Sequence, residues 1–304
     1  MLGSFQDAED ALQDTLISAW QGLGGFEERS SLRTWLYRIA TNCCLKMRRA
    51  AARRPAKEWN VPNVEPPEPT RYGEVAWLEP FPDTLLAGVL EAPQGPEALY
   101  EQTEAISLAF ITALQALPPR QLAALILRDV LGLHAREAAE ILDVTVDSAN
   151  SLLKRARATI EQQRSSRVDT NERPVSTAAE DALVARFVRA YEAADLDSVV
   201  ELLTDDVFVS MPPMPFEYEG REAVTRFCAS IFGAGRRFRL VPTRANGQPA
   251  FGTYLHSADG VAHGVGLLVL TVSGDRISAM TRFESTTLPW FRLPRILPAE
   301  ADRA

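Results

Sequence analysis

The chain has 304 residues, 46% of them hydrophobic, which is enough for two or three globular domains. No apolar run reaches the ~18 residues of a membrane helix, the start is amphipathic and acidic rather than a signal peptide, and three cysteines form neither a disulfide framework nor a zinc pattern. The formal net charge of −8 excludes a uniformly basic nucleic-acid binder, so any DNA contact must come from local clusters of cations.

Asp7 to Trp20 (DAEDALQDTLISAW) has the periodicity of an amphipathic helix, with Leu12, Leu16 and Trp20 stacked on a face expected to be buried. Asp7, Asp10, Gln13 and Asp14 make the rest of it acidic. After Gly24-Gly25, Ser31 to Met47 carries Leu32, Leu36, Ile39, Cys43 and Met47 at helical spacing, which predicts a second buried stripe. From Arg29 to Arg54 there is no carboxylate, and Arg33, Arg38, Lys46, Arg48 and Arg49 alternate with Trp35 and Tyr37. Cations with interleaved aromatic rings suit phosphate attraction and stacking on unpaired bases, and core packing competes for each ring. Cys43 and Cys44 fit packed or idle thiols better than a redox pair, in a reducing cytoplasmic setting.

Residues 55–98 are rich in proline and glutamate and read mainly as an extended connector. Within them, Trp77, Leu78, Phe81, Leu85 and Leu86 of WLEPFPDTLL are too apolar for a free linker and are expected to pack on a neighbouring domain.

Leu117 to Ile160 has helix-turn-helix spacing. Pro118 and Pro119 suit a first helical turn and Gly132 a position just past the end, predicting one helix over 118–131 and a second over 136–142. Asp143 and Val144 make the turn, Thr145 is the N-cap, and Ala149, Leu152, Leu153, Ala156 and Ile160 form an inward stripe. This leaves Asp147, Ser148, Asn150, Ser151, Lys154, Arg155 and Arg157 outside, short polar groups first and cations after, the order a major-groove helix needs.

Three motifs, DAEDALQD, then SSLRTWLYRIATN, then LPPRQ with REAAEIL and VDSANSLLKRAR, resemble in this order the two core regions of an extracytoplasmic-function (ECF) sigma factor of the sigma-70 superfamily. The resemblance implies an all-α region 2 at 1–54 and a helix-turn-helix region 4 at 99–166. It assigns Asp7, Asp10, Gln13 and Asp14 to docking on core RNA polymerase. Ser31, Arg33, Thr34, Trp35, Arg38, Asn42, Lys46, Arg48 and Arg49 would bind and melt the minus-10 promoter element, and the outer face of the last helix would read the minus-35 element. In the family a further helix precedes DAEDALQD, so region 2 is expected to lack its first helix here. The implied partners are core RNA polymerase and promoter DNA, with no cofactor, no metal, no membrane association and a monomeric free state.

A second linker, 167–177, precedes a region in which helices come first and a run of strands follows, an α+β pattern. Ala178 to Leu203 reads as helix, with strands near 207–211, 238–243, 250–256, 262–272 and 276–285 and a helix over 221–232. VARFVRAYEAADLDSVVELLTDDVFVSMPP, GREAV and ANGQPAF resemble the SnoaL-like group of the nuclear-transport-factor-2 (NTF2) fold, implying a cone-shaped domain over 178–292 and a tail over 293–304. Asn246-Gly247 is a strong hairpin signal; the resemblance turns Asn246, Gly247 and Gln248 toward the sigma core, so that a regulatory contact competes with a plain turn, and Trp77, Leu78 and Phe81 are separately expected to have an internal partner, the C-terminal domain being one candidate. His256, His263 and Glu284 are candidates for a pocket that takes a small apolar ligand. Asp259 reads as a turn former. The domain is expected to be a non-catalytic regulator acting in cis; the competing reading is a ligand-binding or isomerase-like module fused to a DNA-binding part.

Overall fold

The computed structural model describes residues 1–28, 30–51, 53–61, 64–73, 78–86, 107–165, 177–233, 235–258 and 260–298. The chain forms two compact units, one of Met1–Pro55, Ala76–Leu78 and Ala109–Asp169, the other of Ala56–Val75, Glu79–Leu108 and Thr170–Ala304.

The first unit is helical. Helix α1 (Phe5–Gly22) starts where the Ser4 hydroxyl accepts from the Asp7 amide at 3.0 Å, and α2 is Leu32–Ala51. The two pack through a face the leucine spacing did not indicate: Ala11, Thr15 and Ala19 of α1 are buried with Thr34, Thr41 and Leu45 of α2. Leu12 is 59% and Trp20 81% exposed, and Leu16 and Leu32 also lie outside. Small side chains one turn apart let two backbones approach closely, and the Thr15 hydroxyl stays satisfied by donating to the Ala11 carbonyl at 2.6 Å.

Helix α3 (Leu108–Ala116) precedes the helix-turn-helix. Its first member is α4 (Pro119–Leu125), continued by one π-helical turn over Ile126–Val130 where an unbroken helix was expected. Helix α5 (Ala135–Leu142) opens on a reciprocal cap in which the His134 amide donates to the Glu137 carboxylate at 2.8 Å, and it closes on Asp143 in the left-handed region at φ 53°. Helix α6 (Val146–Ser165) is capped by Thr145, whose hydroxyl accepts from the Ser148 amide at 3.2 Å. Ala149, Leu153 and Ala156 are buried; Leu152 packs on a cluster with Ala138 and Ile141, Leu153 on one with Leu117 and Leu122.

The second unit is α+β. Helices α7 (Thr177–Ala193), α8 (Leu196–Glu201) and α9 (Arg221–Gly233) accompany strands β1 (Arg71–Tyr72), β2 (Leu203–Met211), β3 (Met214–Glu219), β4 (Phe238–Ala245), β5 (Gln248–His256), β6 (Ala262–Ser273), β7 (Arg276–Glu284) and β8 (Ile296–Leu297). The sheet runs β1-β3-β2-β7-β6-β5-β4, with β8 on β6; among the described residues only β2 and β7 pair in parallel. Phe187, Val199, Val209, Tyr218, Val224 and Leu270 belong to its core. Close approach rather than turn geometry requires Gly266: a Cβ there would meet the Phe283 carbonyl oxygen of β7 at 2.3 Å.

Two expected boundaries move. Segment 56–73 is not a connector but part of this unit, with β1 completing the sheet edge in the register Arg71↔Glu217 and Tyr72↔Phe216. Residues 294–297 are no tail either: Arg295 O accepts from Gly264 N at 2.8 Å, and Pro294 O from the Tyr254 hydroxyl at 2.8 Å. Each strand here is only two residues long, too short to show an alternating pattern, and is recruited by unpaired groups of an existing sheet.

Candidate nucleic-acid interface and the cone

On α2, Arg38, Asn42, Lys46 and Arg49 are exposed and fall at i, i+4, i+8 and i+11, so they share one solvent-facing stripe. The other expected minus-10 residues are placed differently. Ser31 caps α2 by accepting from the Thr34 amide at 3.1 Å, and the two hydroxyls share a 2.8 Å hydrogen bond. Trp35 is half-buried with its ring 5.0 Å from that of Phe26, and Arg33 lies 5.4 Å over the Tyr37 ring. Tyr37 itself packs on the Ala123–Ile141 cluster of the helix-turn-helix.

Arg48 departs furthest from a DNA role. Its guanidinium donates to the carbonyls of Met1 (2.9 Å), Gln115 (2.9 Å) and Leu117 (3.2 Å) and to the Gln115 side-chain oxygen (2.8 Å). It joins the carboxyl-terminal end of α2 to the entry of α4, with little left for a phosphate.

On α6, Asp147, Ser148, Asn150, Ser151, Lys154 and Arg155 are exposed. Arg157 is bound to Asp129 in a bidentate pair at 2.7 and 3.0 Å, which raises its pKa through the hydrogen bond and the opposite charge. On α1, Asp10, Gln13 and Asp14 are exposed, whereas Asp7 is drawn into an ion pair with Arg54 at 3.0 Å.

In the second unit, Asn246 (φ 56°) and Gly247 (φ 72°) form the two-residue turn between β4 and β5, both in the left-handed region that such a turn demands. This turn grips residues 81–83. Phe81 donates its amide to Asn246 Oδ1 at 2.8 Å, Asn246 returns its own amide to the Phe81 carbonyl at 2.9 Å, and Gly247 N donates to Asp83 Oδ1 at 2.8 Å. Gln248 accepts from the Leu108 amide at 3.1 Å and donates to Thr271 at 2.9 Å. Leu78 is buried, and Trp77 lies outside the described residues, as does Asp259.

Segment 56–73 is held as firmly. Trp59, Val61 and Val64 join the core, Tyr218 donates its hydroxyl to Pro67 O at 3.0 Å, and Lys57 and Asn60 both bind the Glu284 carboxylate, at 2.5 and 3.1 Å. Glu284 is thereby committed outside the cavity of the cone, and His263 is exposed on β6; of the three pocket candidates only His256 lines the cavity. Sequence reasoning missed Arg236 and Arg282, which also line it. An arginine in a strand, as Arg282 is, reads as a surface residue until closure of the sheet is known, and Arg236 precedes β4 in a loop.

Three family models match the chain: sigma-70 region 2 over residues 1–54, sigma-70 region 4 over 107–160, and a SnoaL-like domain over 184–286. The ECF RNA polymerase sigma factor SigG of Mycobacterium tuberculosis is 41% identical over 300 residues, which span 97% of this chain and 79% of the relative. This chain belongs to the ECF sigma factor family. The ECF RNA polymerase sigma-E factor of Escherichia coli K12 matches the sigma factor at 31% identity over 157 residues, 52% of this chain and 73% of the relative. The crystal structure of the M. tuberculosis sigma factor SigJ shares its fold at 22% identity and a TM-score of 0.56, covering 96% of this chain and 93% of the other. The sigma factor thus carries two helical sigma regions and an α+β SnoaL-like domain. Among the described residues no helix is long and apolar enough to cross a membrane.

Proposed function

We propose that this sigma factor binds core RNA polymerase through the acidic face of α1, with Asp10, Gln13 and Asp14, and reads promoter DNA through α2 and α6. The observation that carries this reading is the stripe Arg38, Asn42, Lys46 and Arg49, exposed on a helix without a carboxylate. Such a stripe attracts the phosphates of a melted minus-10 strand. Trp35, half-exposed at the start of α2, is the ring best placed to receive an unstacked base, and stacking of that kind is worth about 1–3 kcal/mol per base. On α6, Ser148, Asn150 and Ser151 reach base edges while Lys154 and Arg155 hold phosphates; the exposed Arg157–Asp129 pair, worth at most about 1 kcal/mol, gives way when a phosphate replaces the carboxylate.

The SnoaL-like domain regulates initiation in cis by holding the segment between the two sigma regions. The grip of the Asn246-Gly247 turn on Phe81 and Asp83 and the seating of 56–73 on the sheet support this role. The described residues lining the cavity include no aspartate or glutamate, which leaves His256 as the conventional general base there. Place of action is the cytoplasm, where the polymerase is.

The test is promoter-dependent initiation by core RNA polymerase reconstituted with the full chain on genomic fragments. Defined starts are expected, with Asn150→Ala altering base preference near position minus-35. Lys154→Ala should lower affinity evenly across promoters and flatten the salt dependence by about one unit of slope. Absence of any defined start with the full chain overturns the reading.

A further inference from the structure

The interior of the cone holds chemistry that promoter recognition does not use. A cavity of about 390 Å3 lies within the second unit, in the size range of small-molecule sites. Most of its wall is apolar, with Met211, Phe227, Phe232, Phe238, Leu268 and Met280 in it. Into this wall enter two guanidinium groups, Arg236 and Arg282, beside the imidazole of His256.

Arg282 stands on β7 two residues after Met280, on the same side of the strand. Its Nη2 donates to the Val265 carbonyl at 2.9 Å, whereas Nη1 is excluded from solvent and has no hydrogen-bond partner among the described residues. Burial lowers its pKa, opposed in part by the negative charge of Glu284 and reinforced by the like charge of Arg236, yet a guanidinium keeps its proton in a protein. Glu284, the nearest acid on the strand, is taken by Lys57 and Asn60. A buried cation with an unused N–H costs stability, and an anion supplied from outside offsets that cost. The two N–H groups of one unpaired nitrogen in an apolar chamber match the two oxygens and single charge of a carboxylate better than a phosphate, whose three oxygens and greater charge demand more donors.

We propose that the cone binds a small monocarboxylic acid with an apolar body, its carboxylate on Arg282, with Arg236 as the second charge. The apolar body lies among the phenylalanine and methionine side chains. Val61 of segment 56–73 also lines the cavity, so the bound acid touches the stretch that joins the sigma regions.

Calorimetric titration of the full chain tests this with two acids, 2-naphthoate and octanoate, and their neutral counterparts, 2-naphthalenemethanol and octanol. Each acid is expected to bind about tenfold or more tighter than its alcohol, and Arg282→Gln to erase that preference. Val265→Phe, which fills the cavity, should weaken acid and alcohol together. Equal binding of acid and alcohol, no binding of either acid at millimolar concentration, or undiminished acid binding by a folded Arg282→Gln chain overturns the proposal. Should Arg282→Gln not fold, the acid-to-alcohol comparison in the unaltered chain decides alone. Transcription is not read in this experiment, so its failure leaves the promoter reading untouched.

Discussion

Lys46 and Arg48 lie two residues apart on one cationic helix, yet the first faces solvent and the second ties together three backbone carbonyls and an amide oxygen. Charge-assisted hydrogen bonds of this kind carry more stability than neutral ones, and their loss leaves several acceptors unpaired. Arg48→Ala is therefore expected to destabilise the first unit by about 2–3 kcal/mol in urea unfolding. Lys46→Ala should leave the unfolding midpoint unchanged while reducing promoter opening. Equal stability of the two variants would remove the structural role of Arg48. The cysteines separate in the same way. Burial pushes the Cys228 thiol up to about 12, and Cys44 also upward, first through burial. At pH 8 a group with so high a pKa is almost wholly protonated, and its thiolate fraction grows only as pH rises toward that value. A disulfide reagent should thus modify Cys43 before Cys44, and Cys228 only as fast as the cone opens; rapid labelling of all three at pH 8 would contradict this burial.

At the scale of elements, the helix-turn-helix was legible because its apolar residues are large, its stripe is one-sided, and Thr145 and Gly132 punctuate it. Helix α1 misled for the opposite reason: the residues it buries are Ala11, Thr15 and Ala19, and the larger leucines lie on the next face. Strand β1 had no local signal at all, since its pairing with β3 comes from the sheet and not from Arg71 and Tyr72. The hairpin between β4 and β5 was legible from Asn-Gly, and its grip on Phe81 follows from the geometry of the turn, which projects the Asn246 carboxamide toward a strand-like neighbour. Asn246→Ala loses both a residue tolerant of φ 56° and the acceptor of the Phe81 amide. Hydrogen exchange at Phe81 should accelerate by about tenfold, the kinetic equivalent of one lost hydrogen bond, and Asn246→Asp, which keeps the acceptor, should restore most of the protection. Unchanged exchange at Phe81 in Asn246→Ala would show that the turn does not hold the segment.

For the whole molecule, the boundary between sigma regions and cone does not follow the order of the sequence. Residues 56–73 and 79–86 precede region 4 in the chain but belong to the unit that follows it. Trp59, partly buried, and Val61 and Val64, buried, find their apolar partners on the cone, and full burial of a valine contributes about 1.5–3 kcal/mol. Cutting the chain at residue 170 therefore does more than delete a regulator: it strips these residues of their cover and leaves Thr70 and Gly73 without the Glu217 and Pro215 groups that bind them. A chain ending at 170 is expected to bind more of an apolar dye per molecule than the full chain and to aggregate at lower concentration. Replacing Trp59, Val61 and Val64 by serine should suppress both effects in the short chain and destabilise the full one. If the short chain were as soluble and as dye-silent as the full protein, segment 56–73 would have found other cover, and loss or gain of transcription on truncation could then be read directly as regulation by the cone.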